Sequence, residues 1–523
     1  MNQRGLILAA ILVVMLPLAL LLGQWSATDP VMAMSVAAGI IIFGVVVVMQ
    51  RSIWLLIPLF YAFRFPLTLL PGGFALRDIV TGGVFAVMVL IWLVRRYEIR
   101  LRFGTLEMLL ALQYACLFQA FVRNPAGFRV LGSETVGGRP YVEIALSLLV
   151  FVVLAAQVVD LKKTYLASKM FLLGGVGAAM LEIVSMLIPS LGYLIARVYH
   201  LGSSVGLRSE QAIEAGVAEV NQYSVGRKEY LSYLVKPLFA WLLAKTRPLG
   251  LMNLKRPFVV IGFVIVMLAA LLSGYRSLLI WIGMMYIAAA IIRRHKEDIA
   301  VACVAGILMM CILIGGNGQI FDLPLPVQRA LSFLPGNWDP LAEGDAKSSA
   351  EWRYEMWHEV MTTDTYIENK WIGDGFGLTM DDLQFQARIQ FGGGVVTPEM
   401  MQEHFMRSGD IHSGPIATIN RVGYFGLLML TIGMIYFARY AVKVIRRTEG
   451  TPYYICTMFI GLPMVVYPLF FYAVIGGYQQ AIAIMSFTGG MLRLIENSMD
   501  RYGDGNLVEN VSDPALDPDE NRY

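Results

Sequence analysis

A succession of long apolar stretches, separated by short polar, glycine- or proline-containing connections, constrains this chain more than any other feature. A helix rises ~1.5 Å per residue, so a stretch of roughly 16–27 mostly apolar residues can cross a hydrocarbon layer ~30 Å thick. Such stretches lie at 6–23, 31–49, 53–70, 79–94, 107–122, 142–159, 168–194, 229–245, 257–273, 277–292, 299–315, 422–441, 455–473 and 478–494. In hydrocarbon each backbone amide needs a partner within the protein, which favours helices. The expected fold is therefore an all-α polytopic integral membrane protein of about fourteen transmembrane helices. Composition agrees: 57% hydrophobic and 15% charged residues over 523 positions leave more apolar surface than a water-soluble fold could bury.

Charge placement gives the orientation. Lys and Arg gather in alternate connections: Arg51; Arg95, Arg96, Arg100 and Arg102; Lys162 and Lys163; Lys245, Arg247, Lys255 and Arg256; Arg293, Arg294 and Lys296; Lys443, Arg446 and Arg447. The intervening short connections at 24–30 and 71–78 hold only Arg77. Short cytoplasmic loops accumulate positive charge, so the first set is expected inside, with both termini. The opening MNQR and its apolar run read as an uncleaved first helix, because a second span follows closely. The net charge of +3 gives no basic field for nucleic acid. Cys116, Cys303, Cys311 and Cys456 fall in apolar runs without a CxxC and read as small hydrophobes. The halves show no internal repeat.

The expected organisation is helices one to eleven in 1–315, a large extracytoplasmic loop in 316–421, the last three helices in 422–495, and a tail in 496–523. The tail is acidic, carries Pro514 and Pro518, and is expected to be disordered. Connections 123–141 and 195–228 are also long, and their arginines, Arg123, Arg129, Arg139, Arg197, Arg208 and Arg227, are suited to acidic groups or to plain solvation.

The largest loop contains readable structure. Ser348 and Glu351 form an S-x-x-E capping box, predicting a helix from there to Met361 with Arg353 and Trp357 on one face. WIGDGFG, residues 371–377, predicts a glycine turn, with a phosphate nest as the lesser alternative. Thr397, Pro398 and Glu399 open a second helix that Gly409 closes. His412 follows on a corner where the chain returns to the membrane. His358, His404 and His412 have no metal-binding spacing, and no metal or cofactor is implied.

Four ionisable residues fall within spans, where charge is expensive: Arg64, Glu182, Lys236 and Arg276. Glu182 and Lys236 read as an internal ion pair, and Arg64 as a residue reaching the outer headgroups. Arg276 differs, because LSGYRS, residues 272–277, puts it in a helix break, tolerated at membrane depth where it lines a polar cavity.

Taken in order, LSGYRS, the Arg-x-x-x-Trp of AEWRYEMW, WIGDGFG and IHSGPIATINRVGYFGLL resemble the O-antigen ligase and polymerase superfamily of membrane glycosyltransferases. FALRDIVTGG resembles a frequent early segment of that family. Where the family has His-Asn, this chain has His412-Ser413. The resemblance implies metal-independent, inverting glycosyl transfer of the GT-C type in the bacterial inner membrane, with the large loop periplasmic. The donor is a lipid-linked oligosaccharide on undecaprenyl diphosphate and the acceptor a glycan or lipid. Arg276 and Arg353 are expected to hold the diphosphate, because guanidinium forks match phosphate oxygens. His412 is expected to take the acceptor proton. Arg64, Arg139 and Arg421 are further candidates for substrate binding. Plainer readings pair Arg353 with Glu355 or Glu359 and leave His412 satisfied within the loop. Polymerisation of repeat units is favoured over ligation to lipid A core by the span count and the long outer loops. A polysaccharide transporter or flippase is the third reading, and the scarcity of mid-span charge weighs against it.

Overall fold

The computed structural model describes residues 49–67, 74–95, 103–125, 137–199, 228–377, 381–382, 384–385 and 398–502. The expected spans at 6–23 and 31–49 lie outside these residues but for the last position, and so does the tail beyond Tyr502. Among the described residues the protein is all-helical, with only isolated β-bridges such as that between Pro66 and Ala75.

After a 3-10 turn at Gln50–Leu55, the helices are α1 Leu56–Phe60, α2 Leu76–Arg95, α3 Thr105–Arg123, α4 Arg139–Ala155, α5 Leu161–Leu187, α6 Pro189–Val198, α7 Tyr230–Lys245, α8 Pro257–Leu272, α9 Arg276–Ile292 and α10 Glu297–Gly316. Then come α11 Leu325–Leu331, α12 Pro340–Thr362, α13 Pro398–Ser408, α14 Gly414–Arg447, α15 Tyr454–Ala473 and α16 Tyr478–Tyr502. Six of these, α2, α3, α5, α10, α14 and α15, are long and apolar enough to cross a membrane, and α8 and α9 are shorter apolar helices. On α10, Val304, Ile307, Leu308, Met309 and Ile312 are all exposed. An apolar surface of that extent suits hydrocarbon as its solvent.

The core runs through α15 and α16, against which α4, α7, α9 and α14 pack. Phe437, Phe459, Tyr467, Phe471 and Met485 are completely or almost completely buried there. Two glycine pairs set the closest approaches. A Cβ on Gly174 would stand 1.9 Å from the Leu59 carbonyl oxygen, and one on Gly175 2.5 Å from Pro237, so α5 meets α1 and α7 backbone to backbone. On α16, Gly489 makes room for the Phe437 ring and Gly490 for the Phe151 backbone. Small residues at such crossings allow the close packing that holds helices together when lipid offers no competing hydrophobic drive. At one end, Arg493 bridges Glu107 and Glu496 at 3.3 and 3.0 Å, Arg447 bridges Glu496 and Asp500, and Tyr440 donates to Glu496. This network ties α3, α14 and α16.

Several boundaries differ from the sequence reading. The stretch expected to span 53–70 leaves helical geometry after Tyr61, and Arg64 sits in irregular backbone. Pro66 disfavours helix in the residue before it, which hydropathy alone does not register. The helix expected at 168–194 starts at Leu161, capped by Asp160 accepting from the Lys163 amide at 2.9 Å, and stops before Pro189, where α6 begins. The capping box at Ser348 is not used. Asp339 caps α12 by accepting from the Leu341 amide at 2.8 Å, Pro340 takes the first helical position, and Ser348 lies inside the helix. The helix at Pro398 ends at Gly409, with φ +71, as its sequence predicts, while Thr397 lies outside the described residues. The last helix continues to Tyr502, so the first residues assigned to the tail are helical.

Candidate active site

Two helix breaks and a small cap build the site. The first break separates α8 from α9. Gly274 adopts φ +70, a left-handed conformation that glycine takes without Cβ strain. Buried Ser273 repairs the freed backbone: its hydroxyl donates to the Ala270 carbonyl at 2.6 Å and accepts from the Tyr275 amide at 3.2 Å. Its carbonyl accepts from the Lys228 amide at 2.9 Å, just before α7. Arg276 then opens α9, whose positive dipole end lies at a cavity.

The second break lies inside α14 at Gly423, with φ 70 and ψ −177. The WIGDGFG turn replaces the missing helical bonds. The amides of Asp374 and Gly375 donate to the carbonyls of Asn420 and Arg421 at 2.8 and 3.0 Å, and those of Tyr424 and Phe425 donate to Lys370 and Trp371 at 2.8 and 3.2 Å. The contact admits no side chain, because a Cβ on Gly373 would stand 2.3 Å from the Val422 nitrogen and one on Gly423 2.2 Å from the Trp371 carbonyl carbon. The amides of residues 373–376 all donate to protein acceptors, the last to the Tyr141 hydroxyl at 3.0 Å. The segment is a turn locked onto a helix, and its amides are not available as a phosphate nest. Arg123 also serves this turn, donating to the Ile372 carbonyl at 3.1 Å.

The cap has its own core of Met356, Val360, Ile367, Met406, Ile411 and Ile419. Trp357 joins it and donates its indole N–H to the Ile411 carbonyl at 2.8 Å, which pins the corner carrying His412. The four-residue spacing therefore puts Arg353 and the tryptophan that positions the histidine corner on one helix face. His412 has φ 52, an uncommon conformation for a non-glycine residue. Its Nδ1 lies 2.9 Å from the Asp410 carbonyl oxygen, which can only accept. In the neutral ring Nδ1 therefore carries the proton and Nε2 the lone pair, the form a base needs. The Asp410 carboxylate lies 3.9 Å from Nδ1.

A cavity of about 690 Å³ brings Arg276, Arg353 and His412 together with Arg64. Lys236, Arg329, Glu229 and Asp410 also line it, giving five basic side chains and two carboxylates. Arg276 donates from Nε to the Arg329 carbonyl at 3.2 Å. The expected pairing of Lys236 with Glu182 is not its setting. Lys236 faces the cavity beside Glu229 and Arg64, and Glu182 is buried in α5. Arg139 lines a smaller adjoining cavity that shares Arg64 and Gln480, and is tied to Glu143 at 2.6 Å. Arg421 is apart from both cavities. It is buried, stacks 4.5 Å over Phe376, and donates to the carbonyls of Gly375 and Ser408. Arg329 was missed, although an arginine in the short apolar helix LPVQRAL was a signal available in the sequence. Among the described residues no three His, Cys, Asp or Glu side chains are grouped to hold a metal.

No protein-family model matches the chain, and no curated protein does.

Proposed function

We propose that this protein is a multi-pass bacterial inner-membrane glycosyltransferase of about fourteen transmembrane helices, with 316–421 forming a periplasmic cap. It joins undecaprenyl-diphosphate-linked oligosaccharide units during O-antigen or exopolysaccharide synthesis. The observation that carries the reading is the cavity uniting Arg276, Arg353 and His412 from three distant stretches. Arg276 and Arg353 hold the diphosphate and offset the negative charge that grows as the sugar departs. The neutral His412 removes the proton of the acceptor hydroxyl through Nε2, while the Asp410 carbonyl holds Nδ1. The new glycosidic bond forms as the anomeric carbon–phosphate bond breaks, inverting that carbon. Lipid diphosphate leaves with the bonding electron pair, and the histidine proton passes to solvent or to the departing phosphate.

The test is transfer by the purified protein with a lipid-linked oligosaccharide, in wild type, His412→Ala and Arg276→Ala. Loss of a new glycosidic bond in both variants is expected. Undiminished transfer in both overturns the site, and movement of intact donor without bond formation overturns the enzyme reading in favour of transport. Gene deletion that leaves single repeat units on an acceptor indicates polymerisation, whereas long glycan stranded on the carrier indicates ligation.

A further inference from the structure

Five basic side chains and two carboxylates line the cavity. Of these, Arg64, Lys236 and Glu229, which mark its floor, are shared with a second pocket, and Arg276, Arg329, Arg353 and Asp410 are not. The shared set carries one net positive charge.

The floor leads into a separate pocket of about 240 Å³, which Arg64, Lys236 and Glu229 also line. Along α15 the cavity meets Phe470 and Ala473, whereas the pocket reaches back to Ile460, about 15 Å deeper at a helical rise of ~1.5 Å per residue. Three side chains lining the pocket have a polar group with no hydrogen-bond partner: the hydroxyls of Tyr61 and Tyr467 and the indole N–H of Trp281. All three are more than nine-tenths buried, and the Arg64 guanidinium stands 5.7 Å from the Tyr61 ring centre. Buried polar groups are normally satisfied, and leaving one unmade is costly. Trp281 can only donate and the two hydroxyls can donate, so with Arg64 and Lys236 the polar lining of the pocket is rich in donors and suits an anion.

We infer that the pocket beneath the cavity is a second anion site, taking one monoanionic oxygen group: the carboxylate of an acidic sugar or the phosphodiester of a lipid headgroup. The upper assignment to a diphosphate rests on the function proposed above, whereas the lower site rests on its own residues.

Binding to the full-length protein in a nonionic polyoxyethylene detergent, free of phospholipid and measured by calorimetry, tests this. Glucuronate and dimethyl phosphate are the monoanion probes, methyl glucoside the neutral control and inorganic pyrophosphate the upper-site probe. At least one monoanion is expected to bind saturably, and its preference over the other identifies acidic sugar or lipid phosphodiester as the source. Tyr467→Phe with Trp281→Phe weakens that binding tenfold or more in protein that remains folded at the assay temperature. If this double variant does not fold, Lys236→Gln carries the same test. Arg276→Ala abolishes pyrophosphate binding and leaves the monoanion bound, and saturating pyrophosphate does not displace it. The inference is overturned if neither monoanion binds, if methyl glucoside binds as tightly, if the folded variants bind unchanged, or if pyrophosphate displaces the monoanion one for one. Failure of glycosyl transfer with monoanion binding intact removes only the catalytic reading.

Discussion

The two helix breaks place an arginine beside a left-handed glycine and use it in opposite ways. At Gly274 the freed backbone is repaired locally by Ser273 and by the start of α7, so Arg276 is left lining a cavity. At Gly423 the repair comes from a distant turn lying directly on the break, and Arg421 is buried with its guanidinium on two carbonyls. What distinguishes a site from a joint is therefore which segment satisfies the broken helix. A repair by one serine leaves room beside it, and a repair by a whole turn fills the space.

The comparison is broken most severely by exchanging the behaviour of the two arginines. Arg276→Ala should lower transfer by about 10²–10³-fold with an unchanged melting curve, the scale of one lost charge-stabilising donor. Arg421→Ala should instead lower the melting temperature, because buried carbonyls lose their donors. An Arg276 variant that unfolds, or an Arg421 variant that melts normally and loses only transfer, reverses the assignments. The glycines sharpen the contrast. Gly423→Ala combines left-handed backbone with a contact of 2.2 Å and should cost more than about 3 kcal/mol in chemical denaturation. Gly274→Ala, at a φ of +70, should cost about 1–2 kcal/mol. Equal costs would mean that the turn does not seal the second break. Trp357→Phe keeps a ring and loses the bond to Ile411, and should cost about 1 kcal/mol in stability and roughly tenfold in kcat with KM little changed. A change confined to KM would place Trp357 in substrate binding rather than in positioning the corner.

The smallest effect concerns the cap. Burial holds the His404 imidazole below its ordinary value of 6.5, with nearby Asp410 opposing. The folded state thus disfavours the charged ring. Its contribution is complete above pH 6.5 and is lost as pH falls below that towards the folded value. Amide exchange in α13 should quicken over that interval, and His404→Gln should flatten the dependence. Quickening on the alkaline side would contradict the burial argument.

Local signals in the sequence were read well. Ser-Gly before Arg276, the glycines of WIGDGFG and Gly409 each specify backbone geometry within a few residues, and the structure has a break, a turn and a helix end there. Competing local signals were read less well. Asp339-Pro340 outranks Ser348 as the start of α12, and the chain leaves the helix after Tyr61, ahead of Pro66, in a stretch that hydropathy extends to residue 70. The sharing of one cavity by Lys236, Arg329 and Arg353 depends on how α7, α11 and α12 come together, which no local pattern encodes. The same holds for Arg421, whose partners come from residues 46 positions before and 13 before it.

The ion-pair network at the far end of α14 has a mechanical consequence. Arg447 and Tyr440 anchor that end to α16, while Gly423 interrupts the rod after Gly414–Val422. Beyond the interruption lies the stub that leads from the His412 corner. The helix is thus a clamped beam whose tip is braced at its break by the 371–377 turn, so a load on the cap is shared between that turn and the beam.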